Sequence, residues 1–272
     1  MNDKTTLIES AFELAFEMAN QAGELLRNGF YAEKQIESKS SAIDWVTQFD
    51  TQAEELIVNA IRNAFPNHSI MGEEGSRIEG ITPYRWYVDP IDGTNNFAHQ
   101  FPVFCTSIAF YEGETPLCGI VLDPLRNEAF SAIRGQGAYL DSPVGRRKLS
   151  VTSATELNRS LIATGFPYDH QTNPHNNIAE LALMLPQVQG IRRPGAAALD
   201  VVYVAAGRVD GYWEFGLQPW DMAAARLIVE EAGGKVTLPD GSPVVLSEPM
   251  SLLVTNGHIH EPMLAILKQA AQ

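Results

Sequence analysis

The segment Asp89-Pro90-Ile91-Asp92-Gly93-Thr94 places two carboxylates, a glycine and a hydroxyl within six residues. Two Asp three positions apart, joined by a Pro-containing turn, can aim both carboxylates at one point. Hard divalent cations take such oxygen ligands. The Gly93-Thr94 step would add backbone N–H groups that meet a phosphate if a helix begins there. Asp-Pro and Asp-Gly are also ordinary turn dipeptides. The full string is rarer, expected by chance in roughly one chain of this size in several thousand. Metal binding is the reading that leads.

Glu73 and Glu74 stand between Gly72 and Gly75, after the short apolar run Ser69-Ile70-Met71. If that run is a strand, the two side chains point to opposite faces and at most one meets a given site. Asp221 precedes an Ala-rich helical pattern, Met222 to Ala232, where Asp is a favoured cap. Glu214 lies seven residues upstream of it. No Ser or Cys sits in a nucleophile-elbow pattern, so no covalent phospho-enzyme is expected. His258 and His260 are the only histidines with paired spacing; they read as part of a late loop, with no metal role. Arg192-Arg193 reads as a solvated basic pair, with a phosphate or partner-subunit contact as the alternative. Tyr203 and Trp213 read as core.

These residues need a scaffold. Ile8, Phe12, Ala15, Ala19, Ala22 and Leu26 recur at steps of four and three, which predicts a long amphipathic helix ending near Gly29. A second helix is expected from about Asp50 to Ala64, ended by Pro66. A strand from Tyr84 to Val88 leads into the acidic motif. Val103 to Tyr111, Leu117 to Asp123 and Glu128 to Ile133 predict an antiparallel meander. Glycines at 135 and 137 and the Ser142-Pro143-Val144-Gly145 stretch mark a lobe boundary near residue 142. Beyond it strand and helix patterns alternate, with Gly195-Ala196-Ala197-Ala198-Leu199 opening a helix whose small residues permit close approach to a ligand.

At 272 residues the chain can bury a large core, as one domain or two lobes. Its 45% hydrophobic and 19% charged content is that of a globular protein. The net charge of -14 argues against a general nucleic-acid or membrane-surface binder. No uncharged apolar run reaches membrane-spanning length. Cys105 and Cys118 lie in apolar runs and read as buried free thiols. The polar start Met1-Asn2-Asp3-Lys4 contains no signal-peptide pattern, so a cytoplasmic location is expected.

Taken together, Glu73-Glu74, Asp89-Pro90-Ile91-Asp92-Gly93-Thr94 and Trp220-Asp221-Met222-Ala223-Ala224 resemble the inositol monophosphatase family. These are magnesium-dependent, lithium-sensitive sugar-phosphate phosphatases. Glu230-Glu231-Ala232-Gly233-Gly234 is similar too, and the likeness covers essentially the whole chain. The fold it implies is α/β (mixed α+β), a layered α-β-α-β-α sandwich of the sugar phosphatase type. Two lobes are expected, residues 1–141 with the main metal motif and 142–272 supplying Asp221 and substrate contacts.

The resemblance also implies roles. Glu73, Asp89 and the Ile91 carbonyl would hold a first Mg²⁺, and Asp89, Asp92 and Asp221 a second; a third, weaker ion would sit near Glu73. Asp92, Gly93, Thr94 and Asp221 would meet the phosphorylated substrate, while Glu214 and the Gly195-Ala196-Ala197 turn would meet its alcohol. Thr94 with Asp50, and Glu73 nearby, would orient or deprotonate the attacking water. Lys39 and Asp44 match a mobile loop that closes over the metals. Gln218 stands where animal members often carry His, which leaves the alcohol open. The implied activity is hydrolysis of myo-inositol monophosphate by a homodimer. Fructose 1,6-bisphosphate, histidinol phosphate and adenosine 3',5'-bisphosphate are the alternative substrates, and a regulatory interaction protein retaining the fold is the non-enzymatic alternative.

Overall fold

The computed structural model describes residues 3–39 and 41–270; Met1-Asn2 and Ser40 of the segments read above lie outside them. Helix α1 (Asp3–Gly29) follows from its apolar stripe and buries Ala15, Ala19, Ala22 and Leu26. A small hairpin, β1 (Ile36–Ser38) and β2 (Trp45–Thr47), leads into α2 (Gln48–Ala64). That helix begins before the expected Asp50 because Thr47 caps it. The Thr47 hydroxyl accepts from Phe49 N at 3.2 Å, and Asp50, in the first turn, accepts from Thr47 N at 2.8 Å.

Next come β3 (Ser69–Gly72), β4 (Arg77–Ile78), β5 (Tyr84–Asp92) and the short helix α3 (Thr94–Ala98). Strands β6 (Cys105–Glu112), β7 (Thr115–Asp123), β8 (Glu128–Ile133), β9 (Ala138–Ser142) and β10 (Gly145–Lys148) follow. They form one sheet in the order β10-β9-β8-β7-β6-β5-β3-β4. The meander runs antiparallel from β5 to β10, while β3 is parallel to β5. The expected lobe division near residue 142 falls within β9, and the sheet continues to Lys148.

The turn expected after Val88 is replaced by more strand. Asp89 faces Ser107 and Asp92 faces Cys105, so β5 spends one residue more than β6 over this stretch. Pro90 has no N–H to give the ladder, and a bulge at a strand end is where a sheet tolerates that.

The second half supplies β11 (Leu161–Thr164), α4 (Ile178–Met184), β12 (Gly190–Arg192), α5 (Ala197–Ala205) and β13 (Gly211–Leu217). Then come α6 (Pro219–Glu231), β14 (Lys235–Thr237), β15 (Met250–Thr255) and α7 (His260–Ala270). His260, expected in a loop, opens this last helix. The second sheet has the order β12-β11-β13-β15-β14, with β11 parallel to both neighbours.

Successive residues of the central strands serve different layers. Trp86, Val88, Ile108 and Phe110 pack with α1 and α2, whereas Tyr87, Ala109, Tyr111 and Val121 pack with α5 and α6. Tyr212, Leu252 and Val254 of the second sheet close on α5 and α6, and Ile162, Trp213 and Leu253 pack with α4 and α7. The result is the layered α-β-α-β-α order. Helix α6 fits between the sheets because Ala223, Ala224 and Ala225 are small. A Cβ built at Gly119 of β7 would lie 2.8 Å from Ala224 Cα, so the two backbones are nearly in contact. No helix among the described residues is long and apolar enough to cross a membrane.

Candidate active site

A cavity of about 750 Å³ opens where β5 ends, and it brings together residues from both sheets. Asp89, Asp92 and Thr94 line it from the β5–α3 segment, Glu73 from beyond β3, and Glu214 and Asp221 from the second half. Gly93 joins β5 to α3 with φ 95°, a left-handed conformation that a side chain resists, and a Cβ there would come 3.1 Å from Val103 O.

Asp92 is held at the start of α5. Its carboxylate accepts from Ala197 N at 3.0 Å and Ala198 N at 2.7 Å, where the helix presents its unpaired amides. Of the expected alcohol-binding turn, Gly195 and Ala197 line the cavity, Ala196 packs into the core, and the Ala197 amide is engaged on Asp92. Burial pushes Asp92 up to about 6, against the pull of the Ala198 and Ala197 amides.

Asp221 sits in the first turn of α6, not at its cap: Gln218 is the cap, and Asp221 Oδ2 accepts from Gln218 N at 2.8 Å. Asp50 has the same place in α2. Its other oxygen, Oδ1, accepts from the Thr94 hydroxyl at 2.8 Å. Burial lifts Asp50 to about 6, with Thr47 and Thr94 opposing.

Glu73 and Glu74 do not diverge as an extended strand would require, because β3 ends at Gly72 and the chain turns, Gly72 N donating to Ser76 O. Both acids reach one ammonium: Lys39 Nζ lies 2.9 Å from Glu73 Oε1 and 2.5 Å from Glu74 Oε1. Burial, then the charge of Glu73, pushes Glu74 up to about 8 despite Lys39. Asp44 lines the same cavity, and Lys39 N donates to its carbonyl.

Asp89 is fully buried, and among the described residues its Oδ1 has no hydrogen-bond partner. Burial and the charges of Glu73, Asp92 and Asp221 raise its pKa well above the carboxylate range. Asp221 is raised likewise, by burial and then Asp92 and Glu73. Crowded hard-oxygen donors with an orphaned buried oxygen suit a divalent cation. No three His, Cys, Asp or Glu among the described residues stand arranged as a ready-made cage, and Lys39 supplies positive charge at the rim. The donor set therefore fits a cation that would draw it together.

Glu214 lies against Gly165, where a Cβ would be 2.1 Å from its Oε2, and it accepts from Tyr212 Oη at 2.5 Å. Burial lifts Glu214 to about 7, opposed by Tyr212 and then Arg193. The basic pair is split: Arg193 lines this cavity, while Arg192 lines a second one of about 530 Å³. Sequence reasoning missed Tyr168 and the Arg77–Glu248 pair at the cavity wall. Arg77 is bidentate on Glu248 at 2.8 and 2.9 Å, across a separation of 171 residues that leaves no local signal.

The alternating layers thus enclose a carboxylate-lined cleft at the end of β5. The profile of the Inositol monophosphatase family matches residues 7–272. A protein of Synechocystis sp. named Inositol-1-monophosphatase is 41% identical over 266 residues, 97% of this chain and 91% of its own. Nus factor SuhB of Pseudomonas aeruginosa is 45% identical over 242 residues, 86% of this chain and 88% of its own. The structure of inositol monophosphatase from Anabaena (Nostoc) sp. superposes with a TM-score of 0.86 at 38% identity, covering 96% of each chain. The chain belongs to the inositol monophosphatase family, whose members are phosphatases of phosphorylated substrates and generally metal-dependent.

Proposed function

We propose that this protein hydrolyses a small phosphate monoester, myo-inositol monophosphate foremost, with two to three Mg²⁺ ions. The observation that carries this is Asp89 Oδ1, buried and without a hydrogen-bond partner among the described residues, beside the acids Glu73, Asp92 and Asp221. Glu73, Asp89 and the Ile91 carbonyl would hold one ion, Asp89, Asp92 and Asp221 another, and Glu73 would take part in a third, weaker site. The chemistry such ions supply is neutralisation of the phosphate dianion, activation of water and stabilisation of the leaving oxygen.

The chain's own groups do the rest. Asp50 Oδ1 accepts the Thr94 hydroxyl proton, which leaves the Thr94 oxygen turned to accept from water. Gly93 and Thr94 present amides to the phosphate, and Glu214 with the Gly195-Ala196-Ala197 turn, which lines the cavity through Gly195 and Ala197, meets hydroxyls of the alcohol. Lys39 and Asp44 belong to a loop that closes over the cleft.

Fructose 1,6-bisphosphate, histidinol phosphate and adenosine 3',5'-bisphosphate remain competing substrates, separable by kcat/KM. On the same reading the protein is a cytoplasmic, lithium-sensitive homodimer; a monomeric mass in light scattering would remove the dimer. A binding role draws on the relatives named Nus factor SuhB. The deciding experiment is phosphate release from myo-inositol 1-phosphate with and without Mg²⁺, for wild type and Asp92→Asn. Mg²⁺-dependent turnover lost in the variant supports the reading. Silence of the wild type on every substrate makes the interaction protein the better account.

A further inference from the structure

Helix α2 carries two buried carboxylates one turn apart, and they hold different pieces of the cleft. Asp50 holds Thr94. Glu54, only 3% exposed, accepts from Glu74 N at 2.7 Å through Oε2 and from Ser76 N at 3.0 Å through Oε1. Both amides belong to the turn between β3 and β4 that carries Glu73. The same turn is tied to β5 by Glu73 N, which donates to Val88 O at 3.1 Å, beside Asp89.

The contact is built closely. A Cβ at Gly72 would lie 2.5 Å from Glu54 Oε2, so the absence of a side chain there is what lets the carboxylate reach the turn. Each of these part-buried amides finds its acceptor on the one carboxylate. A carboxylate offers two acceptor oxygens, whereas a carboxamide, flipped either way, turns its NH₂ toward one of the two donors.

We propose that Glu54 is a positioning residue: it fixes the Glu73–Glu74 turn at the distance from Asp89 that a shared cation requires, without touching cation or substrate. This rests on the reading of Glu73 and Asp89 as cation ligands. Groups that orient ligands from behind carry a characteristic share of affinity, with losses of about 10–100-fold on their removal.

The test measures the Mg²⁺ concentration at half-maximal rise in Tm, and that at half-maximal phosphate release, for four proteins. These are wild type, Glu54→Gln, Gly72→Ala and Val58→Ala. Glu54→Gln changes the acceptor; Gly72→Ala keeps the carboxylate and displaces it. Val58 is a buried core residue of the same helix and controls for lost stability. Both midpoints should rise about 10–100-fold in Glu54→Gln and Gly72→Ala, with kcat recovering at saturating Mg²⁺. Val58→Ala should lower Tm and leave both midpoints where they were. If Glu54→Gln does not fold, Gly72→Ala decides. Wild-type midpoints in both turn variants, with only Tm reduced, overturn the role of Glu54 alone. A wild type that neither gains Tm nor turns over with Mg²⁺ overturns the cation reading and this proposal with it.

Discussion

Thr94 Oγ1 lies 2.8 Å from Asp50 Oδ1 and 3.0 Å from the Ile91 carbonyl, so one hydroxyl joins the start of α3 to the first turn of α2. Removing it tests its chemistry. Thr94→Val keeps the shape and should lower kcat by about 10²–10⁴-fold, at a stability cost of about 1–3 kcal/mol because the buried Asp50 Oδ1 loses its donor. Asp50→Asn should do both kinds of damage too. Its Oδ2 accepts from Thr47 N at 2.8 Å and Thr47 Oγ1 at 2.6 Å, and an NH₂ there meets donors. The stability loss should be about 1–3 kcal/mol in urea unfolding. Equal turnover in Thr94→Val and wild type would remove Thr94 from the reaction.

Asp89 gives the opposite pattern. Its buried carboxyl group has an oxygen with no partner among the described residues and is crowded by Glu73, Asp92 and Asp221. Asp89→Asn should therefore raise Tm in chelator by about 2–4 °C, the equivalent of about 1 kcal/mol, while abolishing turnover and the stabilisation by Mg²⁺. A lower Tm in chelator would show that the carboxyl group is not a liability in the cation-free protein.

Gly165 tests the alcohol side separately. An Ala Cβ would sit 2.1 Å from the Glu214 carboxylate and must move it off Tyr212. We expect Gly165→Ala to raise KM about tenfold or more, the loss of about one good contact. The Mg²⁺ midpoint should stay unchanged. A shifted Mg²⁺ midpoint would mean that Glu214 and the cation ligands are not independent.

His260 makes stability depend on pH. Thr237 Oγ1 donates to Leu238 O at 2.8 Å, so it must receive from His260 Nε2; Nδ1 then accepts from Thr255 Oγ1 at 3.0 Å. Burial, aided by Lys235 and opposed by Glu261, lowers its pKa to about 4. The unfolded chain binds this proton near pH 6.5, so it holds more protons than the native state between those values. The stability from neutral His260 is complete above about pH 6.5 and is lost as pH falls toward 4. Between about pH 7.5 and pH 5, wild type should lose more Tm than His260→Gln. Equal losses would assign acid sensitivity elsewhere.

The sequence made the centre of the cleft legible because its chemistry is local: Asp89, Asp92, Gly93 and Thr94 are consecutive or nearly so. The helices and the meander were legible from apolar periodicity. Turn propensity misled at Pro90, since a strand end can absorb one extra residue as a bulge. Cap preference misled at Asp221, which serves from inside the first turn, as Asp50 does. Glu54 was invisible for another reason. On a helical wheel it is one acid among several, and only the fold brings the amides of Glu74 and Ser76 to it. Arg193 likewise became a cleft residue only when β12 ended and sent its neighbour Arg192 to another cavity.

Helix α6 acts as a shim. Its alanines set the gap between the sheets, Tyr111 Oη donates to Ala223 O at 2.9 Å, and Ser107 Oγ donates to Trp220 O at 3.2 Å. Asp221 rides on the same rigid piece, one turn from Ala224. A methyl group added at Gly119 would thicken the joint and push that acid out of true. Dimensional tolerance in the core and alignment of the cleft are thus one specification, set at Gly119 and Ala224 for chemistry that neither residue performs.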